Sequence, residues 1–170
     1  MIRLATATRS PSCLRWRVAE VGFLSETPLD PVRLSAAVSG RGRGAVVSFV
    51  GTVRDHHEGR GVVGLEYSAY APMAETVAAA LIREAEERWP VAVAMRHRVG
   101  KLDPGDSAVV IVVAGDHREE AFSACRRLIE DVKRRVPIWK REYYADGTES
   151  WVDPTVEGAG KSGAGAGEAT

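Results

Sequence analysis

Cysteine is nearly missing from this chain of 170 residues, which has only Cys13 and Cys125. Two thiols so far apart supply neither a disulfide framework nor a four-ligand zinc site. A reducing, cytoplasmic setting is therefore the expectation. Net charge is missing as well, with 23 Lys and Arg against 23 Asp and Glu and a pI near 6.9. A general nucleic-acid binder would carry a broad basic excess, so that class is disfavoured. No apolar run approaches the ~18 residues that a membrane-crossing helix needs. What is present is ordinary for a globular protein: 45% hydrophobic and 27% charged residues, in a length that suits one domain with a real core.

Both ends read as tails. The first 19 residues hold Arg3, Arg9, Arg15 and Arg17 with no acid, and residues 1–16 are expected to be a flexible extension without a secretory h-region. Residues 155–170 form a Gly/Ala-rich tail with five glycines between Gly158 and Gly167, a composition that behaves as flexible chain. Gly160-Lys161-Ser162 mimics the end of a phosphate-binding loop. The required first glycine would fall at Thr155, and no strand or helix can follow, so the motif is rejected. Residues 17–154 are left as one domain.

Within that domain the pattern is mixed α+β. Residues 18–23 read as a strand. Asp30-Pro31 opens a short helix, with Asp as N-cap and Pro at the first helical position, and Gly40-Arg41-Gly42-Arg43-Gly44 ends it as a loop. Residues 45–53 form a β-branched run suited to a central strand. A polar loop over 54–61 and an alternating strand over 62–70 follow. Pro72 opens a longer helix with an apolar stripe through Met73, Val77, Leu81, Ala85 and Trp89. Strands are expected over 91–99 and 107–114 around an Asp103-Pro104-Gly105-Asp106 turn. The last helix spans about 117–135 and is expected to bury Phe122, Cys125, Ile129 and Val132. Tyr143, Tyr144 and Trp151 suggest a final extended segment. The order is not a regular βαβ series.

Charge concentrates late in the chain. From Arg126 to Arg141 seven basic residues face two acidic ones, a local net of +5 in a neutral protein. The expected counter-charge is an anionic ligand. Asp116 and Glu119 form a capping-box-like helix start, which puts His117 and Arg118 beside unpaired N–H groups, where an anion is favoured. Lys133 and Lys140 flank the helix-stopping Pro137, so both ammonium groups could face one pocket. Two such neighbours disfavour each other's charged form, which would make a neutral amine available. Each lysine also has a plain structural role, Lys133 at a helix C-terminus and Lys140 at a strand edge. Arg54, at the end of the 45–53 strand, is a further candidate. His56 and His57 beside Asp55 cannot all converge on one ion, so no metal is expected there. Cys125 reads as packing.

Three segments in order carry a family resemblance. They are Gly44-Ala45-Val46-Val47-Ser48-Phe49-Val50-Gly51-Thr52-Val53-Arg54, then His117-Arg118-Glu119-Glu120-Ala121-Phe122-Ser123-Ala124-Cys125, then Lys133-Arg134-Arg135-Val136-Pro137-Ile138-Trp139-Lys140-Arg141-Glu142. With them the chain, from about residue 18 to 151, resembles the large, catalytic subunit of molybdopterin synthase. The resemblance implies an α/β hammerhead-like mixed sheet with two main helices and an additional small β region. It implies conversion of cyclic pyranopterin monophosphate to molybdopterin. The sulfur would come from the C-terminal thiocarboxylate of a small ubiquitin-like carrier whose Gly-Gly tail threads into the pocket. A homodimer of catalytic subunits within a heterotetramer is the implied assembly, with no cofactor. By motif match Lys133 and Lys140 become catalytic, and Arg54, His117 and Arg118 become binders of the anionic pterin. Thr52, Val53, Arg141 and Glu142 are placed near the substrate.

Two rival readings stand beside this one. A non-catalytic docking module for a ubiquitin-like tail or an anionic nucleotide would need the basic pocket but not both lysines. A single-strand nucleic-acid binder would use Arg41, Arg43 and nearby aromatics, and its binding would depend strongly on salt.

Overall fold

A computed structural model describes residues 22–152. The expected tails, and most of the strand expected at 18–23, lie outside the described residues. Near that strand's C-terminal end the chain instead forms a two-residue strand, β1 (Leu24–Ser25), parallel to β5 (Val91–Arg98).

Two sheets organise the molecule. The first has the order β1, β5, β7 (Ser107–Gly115), β2 (Ala45–Thr52), with the last two pairings antiparallel. From Ala108 onward β7 is buried at every residue. It lies between two strands and is covered on both faces, which selects a continuous apolar run rather than an alternating one. On one face its Val109, Ile111 and Val113 pack with α2 (Ala71–Arg88) and α3 (Arg118–Arg135). On the other, Val110, Val112 and Ala114 meet the short α1 (Pro31–Val38). The start of α1 follows the sequence signal: the Asp30 carboxylate accepts from the N–H groups of Val32 and Arg33, with Pro31 just inside. Such a cap stabilises by about 1 kcal/mol.

The second sheet is antiparallel, in the order β3 (His56–His57), β4 (Arg60–Ala69), β8 (Ile138–Tyr144), β9 (Glu149–Val152), with β6 (Gly100–Leu102) also pairing β4. Its inner side packs Val62, Leu65, Leu102 and Tyr144 against Val53 and Ala108 from the first sheet's end in a small cluster. This corrects two expectations. The polar stretch 54–61 is a tight hairpin, turned by Glu58 and Gly59 at φ of 49° and 79°, the left-handed pair that a two-residue hairpin requires. The final extended segment is likewise a hairpin of two strands.

The helix faces also differ in part. Met73 and Phe122, expected in the core, are 51% and 61% exposed. On α2 the expected stripe steps strictly by four, and each such step advances about 40° further round the helix, so the stripe drifts off the buried face. On α3 the expected set already alternates three and four, and its Phe122 and Ile129 each miss the buried Ala121 and Leu128 by one position. The buried line on α2 is Ala74, Ala78, Leu81, Ala85, and on α3 it is Ala121, Cys125, Leu128, Val132. Alternating steps of four and three hold these residues on the core side.

Candidate active site

A cavity of about 310 Å³ opens where the two sheets meet the C-terminal end of α3. Local chain geometry builds its walls. At the end of β2 the pairing with β7 shifts register between Gly51 and Thr52, and a β-carbon on Gly51 would lie 2.7 Å from Val109 Cγ1. The irregularity re-aims the strand as bulges do, and Thr52, Val53 and Arg54 all line the cavity. At the other wall, α3 ends at Arg135 and β8 begins at Ile138, with Val136 and Pro137 between them. Lys133 sits in the last turn of α3, Lys140 is the third residue of β8, and both line the cavity.

Strand alternation decides what β8 contributes. Ile138, Lys140, Glu142 and Tyr144 are buried on the inner side, while the residues between them are half-buried or exposed. Lys140 Nζ lies 3.0 Å from Glu142 Oε1. Glu142 Oε2 accepts from the Tyr144 hydroxyl at 2.8 Å and lies 2.7 Å from His57 Nδ1. Burial alone would raise the Glu142 carboxyl. Hydrogen bonds from Lys140 and Tyr144, with the charge of Lys140, hold it below the usual glutamate range. It is therefore an anion that only accepts, so His57 Nδ1 carries the donated hydrogen. The phenol of Tyr144 is pushed up by burial and by the same carboxylate.

This arrangement corrects the idea that Lys133 and Lys140 act chiefly on each other. Lys140 has a carboxylate at 3.0 Å, whereas Lys133 and Arg54 form no ion pair or hydrogen bond among the described residues. The cavity thus holds three cations against one anion, above a floor of Val53, Val62, Leu65, Ala108, Val109, Ile129 and Val132. An apolar floor lowers the local dielectric and strengthens the pull of these cations on an anionic ligand.

Of the nine candidate residues, six line this cavity: Thr52, Val53, Arg54, Lys133, Lys140 and Glu142. Three do not. Arg141 points to the opposite side of β8, where it pairs with Glu66 at 2.8 Å and Glu149 at 3.2 Å beside the Trp151 ring. His117 and Arg118 lie at the far end of α3. At 1.5 Å per residue, Arg118 and Lys133 are about 22 Å apart along the helix. The capping box also fails to form. His117, not Asp116, occupies the cap position and makes no side-chain cap hydrogen bond. Asp116 is instead drawn 2.8 Å from Arg43.

Sequence reasoning missed four contributors: His57, Tyr67, His97 and Tyr144. His97 donates from Nδ1 to the Arg98 carbonyl at 2.8 Å and stands edge-on to the Tyr67 ring at 4.9 Å. Burial pushes its imidazole down to about 4, so it is neutral at physiological pH. Tyr144 was legible in principle, because period-two alternation puts it on the same side as Lys140 and Glu142. His57 was not, since its partner is 85 residues away. His56 also lines the cavity but pairs with Asp55 at 2.7 Å, so the two adjacent histidines take different carboxylates. Cys125 packs in the core, where burial pushes its thiol up to about 11, leaving no thiolate at neutral pH.

A mixed α+β scaffold that gathers two lysines, an arginine and a buried glutamate on one cavity has the features of a group-transfer enzyme for an anionic substrate. The sequence profile of the MoaE protein family matches residues 24–135. The chain is 42% identical over 135 residues to the molybdopterin synthase catalytic subunit of Bacillus subtilis (strain 168), covering 79% of this chain and 85% of that one. The X-ray structure of molybdopterin synthase from Staphylococcus aureus superimposes with a TM-score of 0.74 at 36% identity, covering 77% of this chain and 96% of that one. A complex of subunits 1 and 2 of molybdopterin-converting factor from Helicobacter pylori 26695 superimposes with a TM-score of 0.62 at 25% identity, over 75% and 87% of the two chains. The chain belongs to the MoaE protein family, alongside relatives named molybdopterin synthase catalytic subunits, and it is an enzyme of that kind.

Proposed function

We propose that this chain, as a single catalytic domain over residues 17–154 working in the cytoplasm, converts cyclic pyranopterin monophosphate to molybdopterin. Sulfur would come from the C-terminal thiocarboxylate of a small ubiquitin-like carrier. The observation that carries this reading is the placement of Lys133, Lys140 and Arg54 on one cavity with a single buried counter-charge, Glu142. The H. pylori relative was solved as a complex of its two subunits, which supports a carrier that docks on this chain.

The roles follow from the surroundings of each group. Lys140, anchored by Glu142, is fixed in place and suits stabilising negative charge and moving a proton at the thiocarboxylate. Lys133 is at the rim without a described partner, which suits orienting the substrate and capturing the carrier tail covalently. Arg54 offers a planar fork to the phosphate, and Thr52 and Val53 shape the wall beside it.

His117 and Arg118 remain proposed binders of the anionic pterin. Because α3 holds them about 22 Å from Lys133, their contribution falls in the pocket of a second copy. That fits a homodimer within a heterotetramer. The test is a sulfur-transfer assay with purified chain, thiocarboxylated carrier and cyclic pyranopterin monophosphate, read by the fluorescent oxidation product of the dithiolene. The expected result is product with the wild type and at least about 10²-fold less with Lys140→Ala. A chain that binds the carrier in a pull-down yet forms no product would be a docking module instead.

A further inference from the structure

Resting on the sulfur-transfer reading above, we infer that His57 is a positioning residue of this site: it fixes the Glu142 carboxylate and, through it, the Lys140 ammonium at the cavity wall. Three donors share that carboxylate. Lys140 takes Oε1 at 3.0 Å, while His57 and Tyr144 both take Oε2, at 2.7 and 2.8 Å. Glu142 is 3% exposed, so no bulk water substitutes for a donor that is lost, and a buried acceptor left short of partners costs free energy.

Two of the three donors cannot fix the carboxylate independently. Lys140 and Tyr144 stand on the same strand as Glu142, two residues to either side, and shift with it. His57 comes from β3, so its bond triangulates the carboxylate from outside the strand. The hairpin that carries His57 is itself pinned. Arg60, opposite His57 in the register, lies 3.5 Å over the Tyr144 ring and 2.8 Å from Asp146. The same segment begins with Arg54. The His57–Glu142 bond therefore ties the strand bearing Lys140 to the segment bearing Arg54, across the cavity that both line. Reaction geometry is sensitive to such ties, because displacement of a reacting group by about 1 Å can cost up to 10²-fold in rate.

Asn and Asp at position 57 make the test, because they share one size and differ in what they offer Glu142. Asn presents an amide N–H close to the position of Nδ1; Asp presents a second carboxylate. With carrier and pterin both supplied, His57→Asn should keep kcat within about threefold of wild type. His57→Asp should lower it about tenfold, with KM for the pterin changed less than about twofold. In a Glu142→Gln background, where the amide can donate to Asp, His57→Asp should cost less than about twofold more. A mere staple for the hairpin would lower the melting midpoints of the two variants without separating their kcat values, and that overturns the inference. So does a full tenfold penalty repeated in the Glu142→Gln background. Absence of product from the wild type would be a different failure, because it removes the sulfur-transfer reading before any variant is compared.

Discussion

The two sides of β8 carry the same kinds of residue and put them to different use. Inward, Lys140 and Glu142 form a pair whose side chains are 10% and 4% exposed, with His57 and Tyr144 closing around the carboxylate. Outward, Arg141 bridges Glu66 and Glu149 between the rings of Tyr143 and Trp151, at 29% exposure. Both are charge networks with good geometry. Water screens the outer one and leaves it little differential energy. The inner one has paid most of its desolvation, so each partner depends on the others and removal of one strands the rest. Position in the pleat, not residue type, decides which network can do chemistry.

The sharpest way to break this comparison is at Lys140. Lys140→Ala should reduce sulfur transfer about 10²- to 10³-fold, as losing a preorganised stabiliser of developing charge does. Arg141→Ala should leave single-turnover rates near wild type. Equal losses in the two variants would mean that the strand matters only as a scaffold. Next is Glu142→Ala, which leaves Lys140 without its carboxylate and takes the shared acceptor from His57 and Tyr144. The expected cost is on the order of 3 kcal/mol in urea unfolding, seen as a lower midpoint with an unchanged slope. A variant as stable as wild type would show that the inner pair is no more coupled than a surface one.

How much of this was legible in the sequence depended on distance along the chain. Lys133 and Lys140 were found because only six residues, one of them a proline, separate them, so local turn chemistry brings them together. Asp30-Pro31 was read correctly for the same reason. Helix faces were read less well. Large side chains drew the stripe through Met73 and Phe122, while half of the residues that pack are alanines, Ala74, Ala78, Ala85, Ala121 and Ala124, which let helix and sheet approach closely. The His57–Glu142 bond was invisible, because it rests on the hairpin turn at Glu58 and Gly59 and on the register of β4 against β8. His117 and Arg118 were assigned correctly to the start of a helix. Only the length of that helix reveals that they are remote from the lysines of their own chain.

Acid sharpens the comparison further, since buried groups should govern it. The unfolded His97 titrates near 6.5 and the folded one at about 4. The folded state thus binds fewer protons between those values, so stability is complete above pH 6.5 and falls as pH drops toward 4. A shift of that size amounts to about 3 kcal/mol when fully developed. Glu142, held below the usual glutamate range, adds a second loss on further acidification through its folded pKa. Melting midpoints from pH 7 to pH 4 should therefore decline, and His97→Gln should flatten the decline above pH 4.5 even if it lowers the midpoint at neutral pH. An unchanged slope would assign the acid sensitivity to other groups.

The smallest effect belongs to the outer network. Arg141→Ala removes the bridge between Glu66 and Glu149 and uncovers one side of Trp151. Water replaces the lost partners of both carboxylates at once, and Tyr143 still donates to Glu66. The urea midpoint should move only slightly, by far less than in Glu142→Ala. That small shift should shrink further in 0.5 M salt, because screening already weakens the network in the wild type. The discriminating measurement is the pair of variants at low and high salt. A salt-insensitive loss at Arg141 as large as that at Glu142 would mean that the outer face is covered in solution, and that the two sides of β8 differ less than their exposure indicates.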